Sequence, residues 1–539
     1  MPYKVLVSDK LDEEGLKVLR DEPEIELTVK TGMSPEELAA FIEPFHGIII
    51  RSATRMTPEV IARAANLKVI SRAGTGIDNV DVPSATRRGI IVMNTPGGNT
   101  VSTAEHAVAM LMALARHIYP ACASLKGGKW DKKSFTGIEL TGKTLGIVGV
   151  GRVGSEVAAR AAGLQMKLVG YDPYFDRQRA QDLGVRMVDD LNGLLAEADF
   201  ITVHTPLNDQ TRNLVGAPQL ARMKKGAGVV NCARGGIVDE HALAEAIKSG
   251  QVGGAALDVF EEEPPTNRTL IDLPQVVCTP HLAASTTEAQ LVVAIAAARQ
   301  LADALVRGEV RFALNMPSVE AEEARKLGPY LSLAERMGML VSQLFTGPMR
   351  KVEARYSGEV TKLRLGPLTT GLTLGLLRPF TEANAVNMVN APVLAAERGI
   401  EVQETRSSAT TNFVTAVRVE VTGDNEVHSV TGTLFGRDRA RVIEIDGFYL
   451  ETAPFGNMLV IPNQDRPGVI GAIGRILGKH NINIANMANG RQEVGGHALT
   501  IVSVDSVPGA QVLDELRANP SILAVKLVRL DDQEKEPGL

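Results

Sequence analysis

Residues Thr144 to Gly154 read TLGIVGVGRVG. Leu145, Ile147 and Val148 make a short apolar strand that runs into Gly149-Val150-Gly151-Arg152-Val153-Gly154, and Ser155 to Ala162 continue as an alanine-rich helix. A G-x-G-x-x-G between a strand and a helix gives each glycine a task. Gly149 permits a tight turn, Gly151 lets the backbone approach a pyrophosphate, and Gly154 lets the helix pack on the strand. The helix amino terminus then faces the phosphates with unbonded amides and the positive end of its dipole. Glycine-rich turns also occur without a ligand, so the second half of the fingerprint matters. Lys167 to Tyr171 (KLVGY) reads as the next parallel strand and ends in Asp172. A carboxylate there accepts hydrogen bonds from an adenine ribose and repels a 2′-phosphate, so the residues predict NAD rather than NADP.

Around this unit the chain alternates strands and helices. Lys4 to Ser8, Gly47 to Ile50, Leu67 to Ser71 and Ile90 to Asn94 read as strands, with helices near Asp12 to Leu19 and Pro58 to Ala65. That rhythm predicts an open α/β domain ahead of the nucleotide-binding one. A long helix from about Thr100 carries the chain across, with Ser102 and Glu105 at capping-box spacing. Strands at Phe200 to His204, Gly228 to Cys232, Ala255 to Phe260 and Val276 to Thr279 complete a doubly wound parallel sheet. The helix Thr287 to Val306 leads back, and residues 308–316 rejoin the first domain. The division predicted is therefore 1–97 with 287–316 as a discontinuous substrate domain, 98–286 as a Rossmann domain, 317–452 as an α+β domain, 457–531 as a ferredoxin-like βαββαβ unit, and 532–539 as a polar tail.

Length and composition set bounds. A chain of 539 residues holds three or four cores, and 44% hydrophobic with only 4% aromatic residues makes those cores aliphatic, as buried parallel strands require. Mixed charges with a net of −6 point away from nucleic acid. Cys122, Cys232 and Cys278 show neither metal-ligand nor disulfide spacing, which fits a reducing cytoplasm. The first residues enter a strand at once, and no apolar run approaches membrane-span length, so a soluble, untargeted protein is expected. Gly137 to Thr144 (GIELTGKT) matches the P-loop expression, but a strand follows it where a helix amino terminus is needed, so phosphoryl-transfer chemistry is rejected.

Three polar residues emerge after three successive strands, where a nicotinamide ring belongs: Arg234 after VVNCA, Glu263 after LDVFEE and His281 after VVCTP. Oxidation at a hydroxyl-bearing carbon needs a group to receive the hydroxyl proton, and histidine titrates near working pH. A carboxylate on its other nitrogen would fix the tautomer, while a guanidinium grips a substrate carboxylate in bidentate fashion. Each residue also has a plain alternative, as a helix cap, a solvated acidic loop or a turn arginine.

The stretches GVGRVG, VNCARGGIVDE, ALDVFEEEPP and CTPHLAAST, in that order and spacing, resemble the D-2-hydroxyacid dehydrogenase family. Taken with the carboxyl extension, the resemblance spans Lys4 to Leu530 and points to the family's long type. It implies His281 as acid/base, Glu263 as its partner and Arg234 as carboxylate anchor. It implies NAD contacts from Arg152, Val153, Asp172, His204, Thr205, Pro206, Cys232, Asp258 and Thr75. It also implies oxidation of 3-phospho-D-glycerate to 3-phosphohydroxypyruvate, opening serine synthesis, by a cytoplasmic homotetramer. The rivals are a glyoxylate or hydroxypyruvate reductase and a non-catalytic NAD-sensing scaffold. Substrate contacts are expected from Arg51 and Ser52 after the GIII strand and from Ala73 and Gly74 after the next. Lys132 or Lys133 is a second cation for a phosphorylated 2-hydroxy acid, with a solvated surface pair as the equal alternative.

Near the carboxyl end, NQDRPG (463–468) followed by NINI (481–484) is similar to the ACT domain, a module that binds amino acids at subunit edges. That likeness makes serine the candidate effector, with Asp465 toward its ammonium and Asn483 toward its carboxyl or side chain. Arg437, Arg439 and Arg441 alternate, which puts them on one strand face as an anion site or as a charged edge.

Overall fold

The computed structural model describes residues 1–317, 321–382, 385–407 and 413–530. The first sheet has five parallel strands in the order Ile25–Val29, Tyr3–Val7, Gly47–Ile50, Val69–Arg72, Ile91–Asn94, the flavodoxin-like arrangement. Its central strands are runs of Val, Ile and Leu buried on both faces, as a sheet covered by helices demands. Polar residues start the helices: Asp12, Thr57 and Asp81 each accept a first-turn amide, and Ser34 closes a capping box with Glu37. The sequence reading passed over Ile25–Val29 because an edge strand is only partly buried and carries alternating polar residues.

The second sheet has seven parallel strands in the order Val276–Cys278, Val252–Leu257, Ala227–Asn231, Phe200–Val203, Thr144–Val148, Lys167–Tyr171, Val185–Met187. The strand order reverses between Thr144–Val148 and Phe200–Val203, and ligands of open α/β sheets bind in the crevice beyond such a reversal. Leading into it, Gly137 to Lys143 form neither strand nor helix, and Thr144 begins a strand, which leaves no phosphate cradle at the P-loop match.

Two crossings join the sheets. The first helix, Thr100–Ala115, ends where His117 takes φ 52 and the chain turns into a second helix, Ile118–Lys126. The capping box read at Ser102 and Glu105 is not formed. Both lie inside the helix, where Ser102 bonds Thr286 at 2.7 Å and Glu105 pairs with Arg160. The second crossing is Thr287–Ala302, extended by a π turn to Arg307. Contrary to the expectation from apolar runs, Thr287–Arg307 has the length and hydropathy of a membrane span. Its Val293, Ala297, Ala298 and Leu301 are buried in the core of the first sheet, which accounts for that composition. Residues 313–315 then rejoin the first sheet: Ala313 bridges Met93, and the Leu314 amide donates to Val92 O.

The third sheet is mixed, in the order Glu401–Ser407, Met349–Gly358, Thr415–Gly423, Val427–Phe435, Arg439–Ile445, Phe448–Thr452, and helices Ala321–Leu344 and Gly366–Leu377 pack together beside it. Its last two strands form a hairpin, turned at Asp446 (φ 50) and Gly447 (φ 80). The fourth sheet is antiparallel, in the order Ile484–Arg491, His497–Val504, Asn457–Gln464, Lys526–Arg529, with helices Val469–Lys479 and Ala510–Arg517 on one face, the predicted split βαβ. Its other face, through Met458, Val460, Leu499, Ile501 and Val528, shares one core with Met337, Leu340 and Leu344 of the third unit. The predicted tail, 532–539, lies outside the described residues.

Candidate active site

Beyond the carboxyl ends of the second sheet lies a cleft of about 380 Å³, walled on one side by Arg152, Val153 and His204 to Pro206 and on the other by Thr75 to Asp78. The glycine-rich loop at its edge has the predicted geometry. Gly149 sits at φ 90, and a Cβ there would come within 2.9 Å of the His204 carbonyl. A Cβ on Gly154 would lie 2.1 Å from Gly149 O, so the helix Arg152–Gly163 can start only because no side chain intervenes. A Cβ on Gly151 would meet no protein atom, which leaves that flank open to a ligand. Asp172 accepts the Val150 amide at 3.0 Å and the Tyr174 amide at 2.9 Å, so the carboxylate is fixed beside the loop.

Two buried polar atoms on this wall lack partners. His204 Nδ1 and Thr205 Oγ1 are out of contact with water and bonded to nothing, although Thr202 Oγ1 holds His204 Nε2 at 2.8 Å. Unsatisfied buried groups are rare in proteins, and a pair of them on a cleft wall calls for a partner such as water or a ligand. Burial lowers the His204 pKa to about 4, so this ring is a neutral hydrogen-bonding group. Cys232 is buried in the same wall, and burial pushes its thiol far above the usual range. The loop, the acid at the strand end and the orphaned atoms together fit a dinucleotide.

At the far end of the cleft, His281 Nδ1 lies 2.7 Å from Glu263 Oε2, while Glu263 Oε1 accepts the Phe260 amide at 3.1 Å. The carboxylate is thus oriented by backbone before it meets the imidazole. The hydrogen bond that Glu263 accepts raises the His281 pKa above its ordinary value, against an opposing effect of burial. Glu263 is lowered by His281 and the Phe260 amide, which outweigh its own desolvation. With Nδ1 engaged, Nε2 is the ring atom left for a substrate, and His281 lines the cleft.

Arg234 lines the cleft as well. Its Nε donates to Asp78 Oδ2 at 3.2 Å and its Nη1 to Ala233 O at 2.7 Å, while Nη2 lies against Gly76. The sequence reading overlooked Arg72. It ends the strand Val69–Arg72, its guanidinium lies against Gly74, and its buried Nε is unpartnered. Burial and the neighbouring Arg234 cation lower its pKa to about 10, with Arg51 adding a smaller push. The signal was present as SRAGTGID, a strand-end arginine ahead of a glycine-rich turn.

Other predicted residues stand elsewhere. The Ala73 amide donates to Ile50 O and the Gly74 amide to Thr95 Oγ1, so neither is free to meet a substrate. Arg51 bonds Lys10 O with its side chain and Asp9 with its amide, and Ser52 beside it is exposed. Lys132 is in an exposed segment over the Trp130 ring, away from the cleft wall. Thr75 lines the cleft and bonds Asn99 across the first crossing at 2.8 Å. Asp258 lies behind the wall with no solvent exposure. Its oxygens accept Thr279 Oγ1 at 2.5 Å and the amides of Leu282 and Ala283 at 2.8 and 2.9 Å, with His106 Nε2 at 3.2 Å. These bonds fix the turn that carries His281, a closer fit to a loop cap than to a nicotinamide contact.

Residues 108–283 match the family described as D-isomer specific 2-hydroxyacid dehydrogenase, NAD binding domain. Residues 326–446 match the D-3-phosphoglycerate dehydrogenase intervening domain, and residues 458–521 the ACT domain. A D-3-phosphoglycerate dehydrogenase of Archaeoglobus fulgidus is 44% identical over 530 residues, covering 98% of this chain and all of that one. The chain belongs to the D-3-phosphoglycerate dehydrogenase family. The relative from Methanocaldococcus jannaschii, 42% identical, is likewise matched over 98% of this chain and its own full length. Among solved structures, a glyoxylate reductase from Paecilomyes thermophila superposes with a TM-score of 0.54 at 28% identity, over 58% of this chain and 98% of its own. The protein is an NAD-dependent dehydrogenase with a Rossmann-type sheet and an ACT domain.

In the ACT domain the two predicted serine contacts are engaged. Asp465 accepts Arg491 Nη1 at 3.0 Å and the Gly495 amide at 3.1 Å, and these bonds hold its carboxyl below the usual range. Asn483 donates to Asp505 at 2.7 Å. The arginine row is also altered: Arg437 lies in the turn before the strand, and Arg441 faces Glu451 at 3.7 Å.

Proposed function

We propose that this enzyme oxidises 3-phospho-D-glycerate to 3-phosphohydroxypyruvate, the first step of L-serine biosynthesis. One observation carries the chemistry: a carboxylate-held imidazole and the part-buried Arg234 line one cleft, beside a wall built for a dinucleotide. When bound, NAD supplies the hydride acceptor at nicotinamide C4. The Arg152 and Val153 amides at the helix start would hold its pyrophosphate and Asp172 its ribose, with His204, Thr205, Pro206 and Cys232 along its path. Arg234 grips the substrate carboxylate through two parallel hydrogen bonds and orients the carbon to be oxidised. His281 Nε2 receives the hydroxyl proton, and Glu263 stabilises the imidazolium that forms. Arg72, held beside Arg234, adds a second positive charge at the substrate end, which suits a phosphate ester. A 2-hydroxy acid without a phosphate has no need of that second cation.

Serine is the proposed effector, bound at Asp465 and Asn483 after their present partners are displaced. A homo-oligomer is proposed as well. The helix Ile118–Lys126 buries none of its residues, and Ile118, Tyr119, Leu125 and nearby Trp130 are exposed, a surface that suits contact with another copy. The free cysteines are in keeping with the cytoplasm as its compartment.

Initial rates test the reading. Phosphoglycerate with NAD should give steady NADH formation, and serine should slow it. Glyoxylate or hydroxypyruvate with NADH should be the poorer pair. Faster reduction of glyoxylate would favour the reductase, and no turnover with any pair would favour a scaffold.

A further inference from the structure

We propose that His106 is a positioning residue of the reaction: from the helix that crosses between the two domains it fixes, through Asp258 and Thr279, the turn that carries His281. This inference rests on the reading of His281 as the proton acceptor. A carboxylate with no solvent exposure needs donors on both oxygens. Asp258 obtains two from the amides of Leu282 and Ala283 and one from the Thr279 hydroxyl. The fourth is His106 Nε2, 3.2 Å from Asp258 Oδ1 and 3.1 Å from Thr279 Oγ1. The one proton of the Thr279 hydroxyl is directed to Asp258, so both atoms facing His106 are acceptors. The neighbours therefore assign the proton of His106 to Nε2.

What these bonds hold is strained. His281 has φ 54, a left-handed conformation that a residue other than glycine keeps only when its surroundings over-determine it. The backbone supplies part of that constraint, since the His281 amide donates to Asp258 O at 2.9 Å. The Asp258 carboxylate supplies the rest by seizing the amides of the next two residues. His106 completes that carboxylate from outside the turn, on a helix of the opposite chain segment.

The same helix face also binds the return crossing. Ser102, one turn before His106, bonds Thr286, the residue that caps Thr287–Ala302. Both domain crossings and the His281 turn thus meet on Thr100–Ala115, and the donor at position 106 ties the proton acceptor to the joint between the domains. A histidine that merely filled space there would tolerate an apolar ring. A positioning residue would not, because losing one donor lets the buried carboxylate release the turn.

Initial rates on the full chain separate these cases. His106→Phe should lower kcat about 10–100-fold, the scale of a misplaced reacting group, with KM for NAD changed by less than about 2-fold. His106→Gln, which returns a donor nitrogen, should recover most of the loss. Thr279→Val removes the shared hydroxyl and should lower kcat similarly, and combining it with His106→Phe should add little, as for residues acting through one network. Wild-type kcat in either single variant overturns the proposal, as does a Gln variant as slow as the Phe variant or a change confined to KM for NAD. If His106→Phe does not fold, His106→Gln and Thr279→Val decide on the same terms. Failure of the unaltered chain to turn over would defeat the functional reading itself, whereas unaffected variants of an active chain defeat this inference alone.

Discussion

His281→Ala is expected to lower kcat by about 10²–10⁴-fold, the usual scale for general acid–base catalysis, with NAD affinity nearly unchanged. The two effects separate because the proposed pyrophosphate and ribose contacts lie on the glycine-rich loop and Asp172, and not on His281. Initial rates and a cofactor titration check both halves, and an unaffected kcat would remove His281 from the proton step. The pH dependence follows from the same pair. Oxidation requires a neutral imidazole, and Glu263 raises the His281 pKa above 6.5. The acidic limb of kcat/KM should therefore lie above that value and move down in Glu263→Gln, where the neutral amide no longer favours the imidazolium.

Arg234→Ala should cost kcat/KM for phosphoglycerate about 10²–10⁴-fold. Two hydrogen bonds to a charged group contribute ~1.5–3 kcal/mol each, and 1.4 kcal/mol is a factor of ten. Arg234→Lys should recover only a small part, since an ammonium keeps the charge but cannot present two parallel donors. The competing partner is Asp78, whose carboxylate receives Arg234 Nε. A substrate carboxylate must therefore be served by the other guanidinium nitrogens or displace Asp78. A rate within about 2-fold of wild type in Arg234→Ala would contradict the anchor assignment, because loss of even one such bond exceeds that.

The parts of the fold legible in the sequence were those with strong local signals. Thr144–Val148 and its glycine loop were readable because every position is constrained at once, the strand by burial and the glycines by close approach. His281, Glu263 and Arg234 were readable because each follows a buried aliphatic strand, and the carboxyl edge of a parallel sheet is where such strands deliver their loops. Arg72 meets the same criterion, but the glycine-rich turn after it points instead to the backbone of Ala73 and Gly74. Those amides are bonded within the sheet, a pairing between segments that local patterns do not contain. The capping box read at Ser102 and Glu105 is not formed for a related reason: its spacing is local, whereas the partners Thr286 and Arg160 are distant in sequence. Asp258 shows the opposite case, an acid placed correctly at a strand end whose role depends on burial, which one sequence does not reveal.

The association of the ACT domain with the preceding unit also has no local signature. Met458, Val460, Leu499 and Ile501 alternate along strands as in any two-layer sheet, and nothing in that alternation says that the second layer belongs to another domain. Asn387, in the unit before the ACT domain, donates to Gly89 O, next to the helix Val82–Arg87 that follows the cleft loop, so that unit also touches the substrate domain.

The most direct test is a crystal structure of the enzyme with NADH and phosphoglycerate. The account predicts the pyrophosphate on the Arg152 and Val153 amides, the substrate carboxylate on Arg234, and His281 Nε2 within hydrogen-bonding reach of the substrate hydroxyl, about 2.6–3.2 Å. A dinucleotide bound away from the glycine-rich loop, or an imidazole turned from the hydroxyl with another group in its place, would contradict it.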